Sequence, residues 1–225
     1  MAYKGITTIT MLLFVSTCGS VNDKEILINR KPIIDKVEIN NNREKTILNN
    51  SDTDISKYDT YLVETDQYTT NGVHYHKKYH KHLIGIARII INKKGLSIVK
   101  NSIGFYFDTK ESAKNRLYLG LDIDIPHRAN FDNKPYTKIA AMLLKEHIDN
   151  ILYTIHSCRS IFTEKEIVGM VIGLLWKAKG TKELLSIWID KKDVLRYEDN
   201  KLTLDELILR NPITNNQGKI IRLPI

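Results

Sequence analysis

Between Leu117 and Ile125 apolar and polar positions alternate: Leu117, Leu119, Leu121, Ile123 and Ile125 fall on one face, Tyr118, Gly120, Asp122 and Asp124 on the other. Side chains of a strand point to its two faces in turn, so this pattern predicts a strand with one face buried and one wet, as in an antiparallel sheet. Strands are also expected over Leu83 to Ile91, which is apolar and β-branched, over Leu96 to Val99 after Gly95, and over Phe105 to Phe107 after Gly104. Beyond Pro126 and Pro135 the period lengthens. Ile139, Leu143, Ile148, Leu152 and Ile155 recur near helical spacing, which predicts one long helix from Tyr136 to about Cys158 lying on the sheet.

Thr163 and Glu166 have capping-box spacing, but Ile167 to Trp176 is rich in Gly and β-branched residues and fits either a helix or a buried strand; a helical turn followed by a strand is the preferred form. Leu184 to Ile189 and Val194 to Tyr197 flank the charged run Asp190 to Asp193 and read as a hairpin. Thr203 to Glu206 repeats the capping-box signature, so a short helix should run through Leu209 and stop at Asn211 and Pro212. Ile220 to Leu223 suits an edge strand. Strands first, then a helix with further strands, give an α+β domain: an antiparallel sheet packed by one long helix and shorter ones.

The amino end follows other rules. Lys4 is the single charge before the apolar run Ile6 to Val15, which closes at Ser16, Thr17 and Cys18, well short of the roughly 20 residues that span a bilayer. Residues 1–17 therefore read as a signal peptide, although the Ala-x-Ala-like site of an ordinary export signal is missing. From Gly19 to Lys57 there is no aromatic residue, and Asn, Asp, Lys, Glu and Ser dominate. Such a segment cannot bury enough apolar surface to order itself, so residues 18–57 are expected to be a flexible tether with a root-mean-square reach of roughly 30–40 Å. Aromatics return at Tyr58, and residues 58–225 are expected to form a single domain.

Val15, Ser16, Thr17 and Cys18 resemble a relaxed lipobox, in which the Cys thiol is acylated and becomes the new amino terminus. Thr17 stands where Gly or Ala is usual and Val15 where Leu is commoner, as in the looser form of spirochaetal lipoproteins. Together with the abundant Ile, Lys and Asn and the Asn-rich tether, this is similar to borrelial surface lipoproteins of Lyme-type spirochaetes. The segment Glu166 to Leu204, with Trp176, Trp188 and Thr203, resembles the S-two antigen-related lipoproteins. The resemblance implies lipidation at Cys18, an outer-membrane surface location, an antigen or adhesin meeting host molecules, and no catalytic role. Each buried acyl CH₂ contributes about 0.8 kcal/mol, so two or three chains would hold the protein on its membrane. A subsurface lipoprotein that binds a small ligand or metal is the alternative, and an envelope enzyme the next.

The formal charge is +8, falling to +7 once Lys4 is removed with the signal. Four of the seven histidines, His74, His76, His80 and His82, interleave with Tyr75, Tyr79 and with Lys77, Lys78 and Lys81. On a strand His74 and His76, or His80 and His82, would share a face; on a helix His76 and His80 would align, and either pair could chelate Zn²⁺, Cu²⁺ or Ni²⁺. The lysines oppose a cation, so the stretch is expected to be a solvated basic loop, with metal binding and salt-sensitive contact to a polyanion such as a sulfated glycosaminoglycan as alternatives. No cofactor is implied beyond the covalent lipid. Nucleic acid is not an expected partner, because no recognition module is visible. Asp122 and Asp124 form a carboxylate pair on the face expected to be wet, and His127, His147 and His156 are isolated. G-x-S-x-G, Walker, dinucleotide-binding and H-E-x-x-H motifs are missing. Cys158 is left without a disulfide partner once Cys18 is acylated, and is expected to be a small buried hydrophobe.

Overall fold

A computed structural model describes residues 57–64, 70–93, 96–107 and 116–224 of the chain. Cys18, the export signal expected over residues 1–17 and all of the tether expected over residues 18–57 except Lys57 lie outside the described residues; Lys57 itself begins a helical turn.

Helix α1, Thr70–Ile91, replaces both the basic loop and the strand expected over Leu83 to Ile91. Its inward face is set by Tyr75, Tyr79, Leu83, Ile86 and Ile90, at three- and four-residue spacing and all buried. That spacing outweighs the β-branched run at Ile89–Ile91, because burial of a stripe contributes more than the few tenths of a kcal/mol per residue of helix propensity.

The strands are β1 (Ser97–Ile98), β2 (Gly104–Phe107), β3 (Leu117–Asp124), β4 (Ile167–Ala178), β5 (Thr181–Asp190) and β6 (Ile213–Asn215). They make one sheet in the order β1-β3-β4-β5-β6, with β2 pairing β3 as well. β1 and β2 share one edge of β3: Ser97 and Ile98 lie opposite Asp124 and Ile123, while Gly104–Phe107 lie opposite Gly120–Leu117. Every pairing is antiparallel except β3 with β4, which run parallel. Two parallel neighbours need a crossover, supplied here by α2, Tyr136–Ile155. The ring of Tyr136 packs 5.2 Å from that of Trp176 on β4 and its hydroxyl donates to the carbonyl of Leu184, which fixes α2 over the sheet.

The segment left open between helix and strand, Ile167 to Trp176, is β4, buried along most of its length. It turns into β5 through Lys179 and Gly180, both at positive φ (52° and 75°), the requirement of a two-residue hairpin turn. The hairpin expected at Leu184 to Tyr197 is not formed. Lys191–Glu198 is instead helix α3, started by the Asp190 side chain accepting from the Lys192 N–H. Thr163 and Glu166 do not cap a helix either: the Thr163 hydroxyl donates to Ser160, ending the 3-10 segment His156–Thr163, and the Glu166 carboxylate accepts from Tyr75. The Thr203–Glu206 capping box forms as expected and opens helix α4, Leu204–Arg210. Of the expected edge strand Ile220 to Leu223 only the bridge from Thr214 to Ile220 is present.

The fold is therefore α+β, a mostly antiparallel sheet with α1 and α2 as two long helices rather than one. The helix-covered face carries Phe105, Leu119, Leu121, Ile123, Met170, Ile172, Leu174, Trp176, Leu185 and Ile187, all buried. The opposite face is small and polar at its centre, with Gly120, Asp122, Gly173 and Ser186, and aromatic toward one end, with Tyr106, Tyr118 and Trp188. Asp122 is buried, so the prediction of a wet face fails there, whereas Asp124 is exposed.

Candidate functional site

The seven side chains singled out between His74 and His82 do not converge on one point, because α1 distributes them around its circumference. His74, Lys77, Lys78 and Lys81 are exposed. His76 and His80 do align, with ring centroids 5.6 Å apart, on the side that faces the turn at 57–64. His80 Nε2 lies 3.0 Å from Asp59 Oδ1, and the two line a shallow cleft with His76, Glu64 and Lys100. Burial holds the His76 imidazole well below its ordinary pKa, at about 4, with His80 adding to the effect. It is thus neutral at pH 7. Among the described residues no group of three or more His, Cys, Asp or Glu side chains is placed to hold a metal ion. His82 points elsewhere, with Nε2 3.5 Å from the Ser160 hydroxyl.

The inner tyrosines tie α1 to the start of β4. Tyr75 donates to Glu166 and Tyr79 to Glu164, each at 2.5 Å, and Lys78 completes the set with an ion pair of 2.6 Å to Glu164. Lys78, then Tyr79, hold the Glu164 carboxyl below its usual range, and the Tyr75 hydrogen bond does the same for Glu166. Burial, reinforced by these carboxylates, pushes the Tyr79 phenol up to about 12 and that of Tyr75 higher still. These groups stay in one protonation state across the physiological range and serve as a brace between helix and sheet.

Beside this brace lies a strongly charged feature. A cleft of about 440 Å³ runs between the start of β4 and α3, and Arg116, Lys165, Lys191, Lys192, Arg196 and Lys201 line it. Its two acids are already engaged: Asp190 caps α3, and Asp199 accepts from Arg159 and Lys201. Lys191 spends its ammonium on the carbonyl of Glu164, which cancels no charge. Among the described residues Lys165 and Lys192 have no ion pair. Arg196 shares Asp193 with Arg210. This convergence is hard to read along the chain, since its cations come from four separate segments and the run Asp190 to Asp193 reads as a turn.

A second cavity, of about 730 Å³, opens between α2, α3 and the start of α4. Leu152, Leu202 and Leu204 form its apolar wall, Tyr153 stands almost fully exposed at its rim, and Tyr197 donates to Asp149. The Glu198 side chain is 4% exposed; Arg159 bonds one oxygen, and His156 lies 3.9 Å from the other. Burial raises the Glu198 pKa, with the neighbouring His156 and Arg159 opposing the shift. Arg159 satisfies one oxygen of this carboxylate, and Oε1 is buried with no hydrogen-bond partner among the described residues.

The remaining candidates are dispersed. His127 contacts the Lys177 carbonyl at the surface, and His147 is buried on α2, with its pKa lowered by that burial. Asp122 and Asp124 differ in burial and form no matched pair. Cys158 is buried and is in no disulfide. No helix among the described residues is long and apolar enough to cross a membrane. No family model matches the chain, and no curated protein or solved structure matches it.

Proposed function

We propose that the protein is a lipid-anchored, non-catalytic binding protein displayed on the outer surface of a spirochaetal cell, meeting host proteins or glycans through side chains of its folded domain. The observation that carries this reading is Val15-Ser16-Thr17-Cys18 closing a short apolar run, followed by an aromatic-free stretch through Lys57. A thiol acylated at Cys18 would supply a membrane anchor, and the following residues would supply reach. The charged cleft beside α3 supports a binding role: it offers several cations on one surface and no nucleophile paired with a base. Anchoring and binding are thus assigned to opposite ends of the chain, and binding should survive deletion of Gly19 to Lys57.

The test is metabolic labelling with radioactive palmitate in cells expressing the chain and its Cys18→Ser variant, followed by protease treatment of intact cells. Label in the parent only, with the domain shaved from the surface, is the expected result. An unlabelled parent that keeps its leading peptide by mass spectrometry overturns the anchor, and a labelled but protected domain moves it to a subsurface location.

A further inference from the structure

We propose that the cleft between the start of β4 and α3 binds a linear sulfated polysaccharide, with Lys165 and Lys192 as its main sulfate contacts. The inference deepens the surface-display reading and rests on it for the choice of a sulfated glycan over an intracellular polyanion.

The argument begins with the distribution of charge. Lys and Arg make up 34 of 225 residues, yet they are six of the ten that line this cleft. The two other cavities described above have one apiece. An excess of this size in one concave surface focuses the field instead of scattering it, which raises the local concentration of anions and the rate at which they arrive. Three of these cations are also available. Among the described residues Lys165 and Lys192 are exposed with no ion pair to a carboxylate, and Lys191 is held in place by a neutral carbonyl, so its charge stays in the cleft. By contrast, on α1 Lys78 is neutralised by Glu164 and His80 sits on Asp59, which leaves Lys77 and Lys81 on a convex helix surface. A convex pair of lysines lacks the converging geometry of the cleft.

The lining also says which polyanion fits. Single-stranded nucleic acid is held by aromatic platforms on which its bases stack, and none of the ten lining residues is aromatic. Sulfate esters need point charges and N–H donors, which lysine and arginine supply. Val168 and Leu195 add apolar surface to the lining, which suits the face of a sugar ring. Lys165 precedes β4 and Lys192 lies in the first turn of α3, so the cleft draws its lysines from the two elements that flank it.

The experiment is a salt series of heparin binding by the full chain in detergent solution, comparing the parent with Lys165→Ala/Lys192→Ala and with Lys77→Ala/Lys81→Ala. The two variants carry the same net charge, and all four lysines are exposed, so both should fold; matching thermal midpoints check this. By counterion release, losing two sulfate contacts should weaken binding about tenfold at moderate salt and lower the log–log salt slope by about two, while the α1 variant stays within about twofold of the parent. Desulfated heparin should fail to compete. Equal losses in both variants would show that bulk charge, not the cleft, holds heparin, and an unchanged cleft variant would remove the site. Displacement of heparin by single-stranded polynucleotide or by anionic vesicles at lower charge concentration than by a sulfated oligosaccharide would overturn the choice of ligand. Purified chain reads the cleft whether or not Cys18 carries lipid, so this proposal and the anchor fail separately.

Discussion

The phenol ring of Tyr106 on β2 lies against the main chain of Gly120 on β3, in the space where any larger residue at 120 would place its β-carbon. The ring is held there by its hydroxyl, which donates to the Ser102 carbonyl at 2.6 Å. Ser102 in turn accepts from the Asp122 N–H, so one glycine lets an aromatic residue and a buried polar cluster close over the same patch of sheet.

Gly120→Ala should therefore destabilise the protein by about 1–3 kcal/mol, since the ring and the Val171 side chain must both move. Tyr106→Phe should cost about 1 kcal/mol through the lost hydrogen bond alone. Urea denaturation followed by tryptophan fluorescence checks both, and a Gly120→Ala midpoint equal to the parent's would mean the ring is free to swing away.

Acid should weaken the fold through His76. The unfolded chain takes this proton near 6.5 and the folded one only near 4, so between those values the unfolded state binds more protons and stability falls as the pH drops. By pH 4 the loss from this residue alone should be on the order of 2–3 kcal/mol. Above 6.5 it contributes no pH dependence. Because carboxylates titrate in part of the same window, the measurement is a difference: stability of the parent and of His76→Gln from pH 7 to 4, with the variant showing the shallower slope.

Much of this architecture can be read along the chain, and the failures have specific causes. Leu117 to Ile125 and Tyr136 to Cys158 declare their periods plainly through the spacing of their apolar residues, even though β3 is also buried on most of its second face. The Thr203–Glu206 cap is local and needs no tertiary help. At α1 the β-branched run Ile89–Ile91 reads as strand, whereas burial enforces the helical stripe from Tyr75 to Ile90. Asp190 looked like the beginning of a turn and is a helix cap, a role that short polar side chains share with turns. Lys179–Gly180 lacks the Asn-Gly signature, so the long hairpin of β4 and β5 went unseen. The charged cleft was the least legible feature, because only tertiary folding brings residue 116 beside residues 165, 192 and 201.

The cap at α4 can be tested directly. Thr203→Ala removes a side chain that accepts from the Glu206 N–H and leaves the reciprocal half of the box without its hydroxyl partner. A loss of about 1 kcal/mol is expected, with Thr203→Ser restoring most of it. Thermal unfolding of the three proteins measures the effect, and an unchanged Thr203→Ala would show that α4 is held by Leu207 and Ile208 alone.

Cys158 provides a reporter for global opening. It is 1% exposed, with Sγ directed at the His82 carbonyl between α1 and the 3-10 segment. In the native protein it should react with a thiol reagent only as fast as the fold opens, and urea should accelerate the reaction along the unfolding curve. Rapid labelling without denaturant would mean that this corner breathes locally.

The parallel union of β3 and β4 has a kinetic consequence. Residues 125–166 intervene between the two strands, so their shared hydrogen bonds cannot form until that whole excursion, α2 included, has come home. Non-local pairing of this kind is slow to nucleate, because the chain loses its freedom before the contacts repay it. Under the proposed export, such hesitation would keep the polypeptide threadable until it has crossed the membrane, with its shape committed only on the far side.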